Sequence, residues 1–128
     1  MIYLDSSVAL AYLLGEERPP PLSLWRSPLI SSRLLQFEVW TRIHARGLTD
    51  SHSQLVNLLL ERVSLLELVV PVLSRAFHPF PAPVRTLDAL HLASAEFVRA
   101  QGKPVKIASY DDRLLGAALR MGFEIADV

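Results

Sequence analysis

A chain of 128 residues fits one domain, and with 51% apolar and 20% charged residues it can bury a core and is too apolar for a disordered segment. The absence of cysteine excludes disulfides and thiolate metal sites, which leaves carboxylates and four histidines as the strong metal ligands. A net charge of zero leaves nucleic acid open as a partner, because phosphate binding needs a local basic surface rather than a basic total.

Ile2-Tyr3-Leu4 reads as a short strand. Ser6 and Ser7 are expected to cap a helix over Val8 to Leu14, which Gly15 ends. Three prolines, 19 to 21, break the chain before a short helical turn at Leu22 to Trp25. Pro28 to Ser31 reads as a second strand, and Ser32 as the cap of a helix reaching Arg46 before Gly47. A further helix is expected from a cap at Asp50 to Arg62. Ser64 to Val70 reads as a third strand, and Pro71 opens a helix that fades into the proline loop around His78 to Pro83. Thr86 to Gln101 is an alanine- and leucine-rich helix stopped by Gly102. Val105 to Ala108 is a strand, Asp111 to Met121 a helix closed by Gly122, and Phe123 to Ala126 a last strand. Strands alternating with helices imply a parallel sheet covered on both faces. No apolar run reaches the about 20 residues that cross a bilayer, and Met1 to Asp5 lacks a basic leader, so a cytoplasmic protein is expected.

In a parallel sheet the strands end at one edge, and ligand sites form beyond it. Asp5 ends the first strand there, and Asp111 lies just past Ala108. Helices run back against the strands, so Asp88, in a first helical turn, and Glu38, in a second, start from the same edge. Taken singly, Asp5, Asp88 and Asp111 have an ordinary explanation as caps or macrodipole partners, worth about 0.3 to 1 kcal/mol each. Glu38 does not, since it stands among Leu34, Leu35, Phe37 and Val39, where a carboxylate is costly to desolvate without a partner. Anions gathered at one rim call for a cation, and all-oxygen ligation points to Mg²⁺ or Mn²⁺. Such an ion suits phosphodiester hydrolysis.

The segments IYLDSSVALAYLL, SSRLLQFEVWTRI, RTLDALHLASAEF and IASYDDRLLGAALRMGFEI together resemble PIN domains, and most closely the VapC-like toxins of bacterial toxin-antitoxin pairs. The resemblance spans essentially the whole chain as one domain, residues 1 to 128. It implies a three-layer α/β/α sandwich with a mainly parallel sheet, commonly a homodimer, that uses Mg²⁺ or Mn²⁺ to cut RNA, inhibits translation and is silenced by a cognate antitoxin. Carried over by position, the catalytic and metal-binding acids are Asp5, Glu38, Asp88 and Asp111. Ser6 and Ser109 stand where small hydroxyl residues flank the acids. Asp112 makes the fourth acid ambiguous; the Ser109-Tyr110-Asp111 pattern favours Asp111 and leaves Asp112 to cap the helix.

His91, among Leu90, Leu92 and Ala93, reads as a core histidine or one behind the acids; His44, His52 and His78 read as surface or loop residues. Trp40 is expected in the core or an interface. Arg33, Arg42 and Arg46 form a candidate phosphate track. A receiver-like Mg²⁺-binding module is disfavoured because Lys103 and Lys106 lie before or within a strand, and a catalytically silent RNA- or protein-binding PIN domain is disfavoured by the four acids.

Overall fold

The computed structural model describes residues Met1 to Val128. Five strands, β1 (Ile2–Leu4), β2 (Leu29–Ser32), β3 (Val63–Leu66), β4 (Lys106–Ala108) and β5 (Glu124–Ile125), form one sheet in the order β3-β2-β1-β4-β5. Every pairing is parallel, with Tyr3 opposite Ile30 on one side and Ile107 on the other. The connections are α1 (Ser6–Leu13), a 3₁₀ turn at Leu22–Arg26, α2 (Arg33–Ala45), α3 (Thr49–Glu61), α4 (Val70–Ala76), α5 (Thr86–Ala100) and α6 (Asp112–Arg120).

Strand side chains alternate between two cores, as a pleat requires. Leu4, Leu29, Val63 and Ala108 pack with Val8 and Leu13 of α1, Leu35, Val39 and Ile43 of α2, and Val56 and Leu59 of α3. Tyr3, Ile30 and Ile107 face the other way, against Leu92, Ala95 and Val98 of α5 and Leu114, Ala117 and Ala118 of α6. The result is the expected three-layer α/β/α sandwich. The order in which strands are added reverses at β1, with β2 and β3 on one side of it and β4 and β5 on the other. Such a switch point opens a crevice at the strands' C-terminal ends. Asp5 extends the ladder there by donating its N–H to Ala108 O at 2.9 Å.

Four local expectations are corrected. Asp5, not Ser6 or Ser7, is the N-cap of α1, because its carboxylate accepts from Ser7 N. Leu48 precedes α3 and Asp50 lies inside its first turn. The third strand stops at Leu66 because its only partner, β2, is four residues long; Glu67 to Val69 lead into α4 instead. Asp111, not Asp112, caps α6. The helix ends behave as read: Gly47 and Gly102 adopt φ of 68° and 86°, the left-handed conformation that lets the chain leave a helix without a Cβ clash.

Candidate active site

Each of the three aspartates is anchored through one oxygen only. Asp5, buried at the end of β1, takes hydrogen bonds on Oδ2 from Ser7 Oγ at 2.6 Å, Ser109 Oγ at 2.8 Å and Ser7 N at 3.4 Å. Asp111 accepts on Oδ1 from Arg113 N at 2.9 Å and Leu114 N at 3.3 Å. Asp88, third residue of α5 and also buried, accepts on Oδ2 from Arg85 N at 3.2 Å. Their other oxygens, Oδ1 of Asp5, Oδ2 of Asp111 and Oδ1 of Asp88, have no hydrogen-bond partner in the protein.

Asp88 feels the charges of the other two. Burial raises the Asp88 pKa above the usual carboxylate value, and the negative charges of Asp111 and Asp5 push it further the same way. No three acidic or histidine side chains stand at metal-ligand spacing in this arrangement. The donor set itself, three uncommitted carboxylate oxygens at one crevice with no sulfur, fits a hard divalent cation.

Glu38 is built differently. Its Oε2 accepts from Ser6 Oγ at 2.9 Å and its Oε1 from His91 Nε2 at 2.5 Å, so both oxygens are engaged. His91 is 2% exposed, and its Nδ1 lies 2.7 Å from the hydroxyl of Tyr3, itself 1% exposed. With Nε2–H donating to Glu38, a neutral ring accepts at Nδ1 from Tyr3. Burial lowers the His91 pKa, yet the hydrogen bond and charge of Glu38, with Asp5 and Asp88 behind it, outweigh burial and raise it overall.

Asp5, Asp88 and Asp111 thus converge by position and charge, and Glu38 joins them through His91. The apolar surroundings expected for Glu38 are only half present, because Phe37 turns outward and is 70% exposed. Ser6 and Ser109 contact acids as anticipated. Asp112 is exposed, and its side chain makes no hydrogen bond or ion pair. Ser7, which the sequence offers as a cap, instead holds Asp5 and accepts from Tyr110 N at 2.9 Å; Tyr3 carries no signal in the sequence beyond its place in a strand. Of the candidate phosphate track, Arg33 is paired with Glu67 at 2.8 Å, while Arg42 lines a groove beside Glu38 and Ser6. That groove, about 300 Å³, has Leu10, Leu34, Phe37 and Leu87 as its apolar walls. Trp40 packs partly buried against the core and stacks on His44.

Residues 2–118 match the family model described as PIN domain. The chain belongs to the PIN-domain family. Two relatives align with the PIN domain over almost all of both chains. Ribonuclease VapC47 of Mycobacterium tuberculosis (strain CDC 1551 / Oshkosh) is 30% identical over 133 residues, covering 98% of this chain and 96% of the relative. Ribonuclease VapC46 of Mycobacterium tuberculosis (strain ATCC 25618 / H37Rv) is 32% identical over 127 residues, covering 97% and 95%. No helix of the PIN domain is long and apolar enough to cross a membrane.

Proposed function

We propose that this protein is a Mg²⁺- or Mn²⁺-dependent endoribonuclease, the toxin of a toxin-antitoxin pair that inhibits translation by cutting RNA in the cytoplasm. The observation that carries the reading is the division of labour within Asp5, Asp88 and Asp111: one oxygen of each is held by its own helix terminus or by hydroxyls, and the other is left for a ligand. The names of the two relatives point to the same activity.

In this reading Asp5, Asp88 and Asp111 hold the cation. When bound, it would activate water and offset charge developing on the phosphate. Ser7 and Ser109 keep Asp5 oriented through their hydroxyls, and Asp111 holds its place through the first turn of α6. Burial of Asp88 raises its affinity for a positive partner, because an ionised carboxylate away from water is stabilised only by a counter-charge. Glu38 presents a fourth negative group at the same rim. The substrate is RNA in a single-stranded loop, and the active form is a homodimer. The cognate antitoxin silences it by laying an apolar segment in the groove of Leu10, Leu34, Phe37 and Leu87 and extending an arginine or lysine to the acids.

Purified, antitoxin-free protein incubated with total RNA is expected to cleave with Mg²⁺ or Mn²⁺ and to stop with EDTA. Cleavage that survives EDTA breaks the mechanism, and absence of cleavage with either ion breaks the assignment. Light scattering that finds only monomer at high concentration removes the dimer, and a complex with the antitoxin that keeps full activity removes the silencing role.

A further inference from the structure

Beneath the carboxylate rim lie two buried polar residues, Tyr3 and His91, that the reaction outlined above does not use. Tyr3 Oη, His91 and Glu38 are joined by contacts of 2.7 and 2.5 Å, and the first two residues are almost wholly enclosed. They come from three separate parts of the fold. Tyr3 lies two residues before Asp5 on β1, His91 lies three residues after Asp88 on α5, and Glu38 stands on α2, whose buried face belongs to the opposite core. Strand period and helix period thus hang one deeper residue beneath each of two rim acids. The deeper pair reaches across the end of the sheet to Glu38.

Such a chain of polar groups is an expensive way to fill a core. Phenylalanine and leucine would occupy the volumes of Tyr3 and His91 without burying polar atoms, and buried polar networks contribute little net stability over apolar packing. What the chain does accomplish is geometric. Ser6 Oγ holds one oxygen of Glu38 and His91 Nε2 the other, so the carboxylate plane is fixed at two points. Tyr3 in turn fixes the imidazole, as partners of ligand histidines do elsewhere. Unlike each aspartate, Glu38 offers an ion no oxygen free of a hydrogen-bond donor, so ligation would compete with His91 or Ser6 for a carboxylate oxygen.

We propose that His91, seated by Tyr3, is a positioning residue that holds Glu38 at the rim as an outer group, acting on water beside the cation rather than ligating it. The inference rests on the metal-dependent reading above, and its test must fail separately from it. Two kinds of measurement do this.

The first reads the contact itself. In metal-free protein the His91 ring proton shared with Glu38 is expected to give a far-downfield proton resonance that is absent from Glu38→Gln and His91→Gln. That signal should persist when Mg²⁺ saturates the protein. Its loss on Mg²⁺ addition would mean that Glu38 leaves His91 to become a ligand, which overturns the proposal whether or not RNA is cut.

The second reads catalysis and Mn²⁺ affinity together. His91→Leu is expected to lower kcat by about 10- to 100-fold, with KM for an RNA oligonucleotide and calorimetric Mn²⁺ affinity within about threefold of the parent. His91→Gln, whose amide can donate near the place of Nε2, should recover most of the rate. Tyr3→Phe, which keeps the ring and its packing, should lose only a few-fold. Thermal melts confirm that each variant is folded. The proposal is overturned if His91→Leu cleaves like the parent, if leucine and glutamine are equally damaging in folded proteins, or if Mn²⁺ affinity falls in step with kcat. A parent that binds Mn²⁺ without cutting RNA defeats the nuclease reading, and the resonance then decides the positioning claim alone.

Discussion

Asp5, Asp88 and Asp111 each give one oxygen to a nearby N–H or hydroxyl and keep the other, whereas Glu38 gives both, to Ser6 and His91. The aspartates sit where strands end and helices begin, so their anchors are mostly local backbone; Glu38 sits one turn into α2 and needs partners from α1 and α5. The contrast shows that capping a helix and serving a site are not alternatives. A carboxylate has two oxygens, and the geometry of a helix N-terminus occupies only one of them.

The largest expected effect separates the two groups by metal. At a hundredfold excess over its dissociation constant, an ion bound only by the folded state stabilises it by about 2.7 kcal/mol. Thermal melts with Mg²⁺ or Mn²⁺ should show this for the parent and for Glu38→Gln, and little of it for Asp88→Asn or Asp111→Asn. RNA cleavage should fall by about 10²- to 10³-fold or more in the aspartate variants. Equal loss of metal stabilisation in Glu38→Gln and Asp88→Asn would erase the contrast.

The next effect concerns charge in the absence of metal. Because burial, with Asp111 and Asp5, raises the Asp88 pKa in the folded state, the folded protein holds that proton more tightly than the unfolded chain. Stability is therefore greatest below the ordinary carboxylate value and declines as pH rises through the raised one. Urea midpoints of the metal-free parent should drop across that window, and Asp88→Asn should lack this part of the slope and be at least as stable at neutral pH. A variant less stable than the parent throughout would mark Asp88 as a structural cap.

His91 gives a smaller effect in a different window. Its raised pKa means that the pairing with Glu38 contributes fully below the ordinary histidine value of 6.5 and fades as pH climbs through the folded value. The parent should lose stability relative to His91→Gln above about pH 6.5. Parallel curves would show that the pairing carries no such linkage. The smallest effect is at the neighbouring acids of α6. Asp111→Ala should cost about 0.5 to 2 kcal/mol as a lost cap, and Asp112→Ala less than about 0.5 kcal/mol with cleavage retained. A larger loss of cleavage at Asp112 would exchange their roles.

Much of this is legible in the sequence. The alternation of short apolar runs with helices ended by Gly15, Gly47, Gly102 and Gly122 gives the layers, and the starts of helices place the acids, because both are written locally. The end of the third strand is not, since Ser64 to Val70 is uniformly β-favouring and only the length of its partner stops it at Leu66. Nor is the setting of Glu38. His91 reads as a histidine in an apolar helix, and its bonds go to residues 53 and 88 positions away, a relation that no periodicity carries. The choice between Asp111 and Asp112 as cap turns on a single residue of helix phase, which is the least certain quantity in any boundary.

The central strand β1 precedes its neighbour β4 in the chain, and while one hydroxyl that holds Asp5 is the adjacent Ser7, the other belongs to Ser109, 104 residues later, so β4 must pair with β1 to bring it there. An emerging chain therefore has Asp5 long before all of its anchors are in place. Ribosomes making the nuclease proposed here would be sheltered from it until β4 had left the exit tunnel and paired with β1, and that delay leaves a second protein time to meet it.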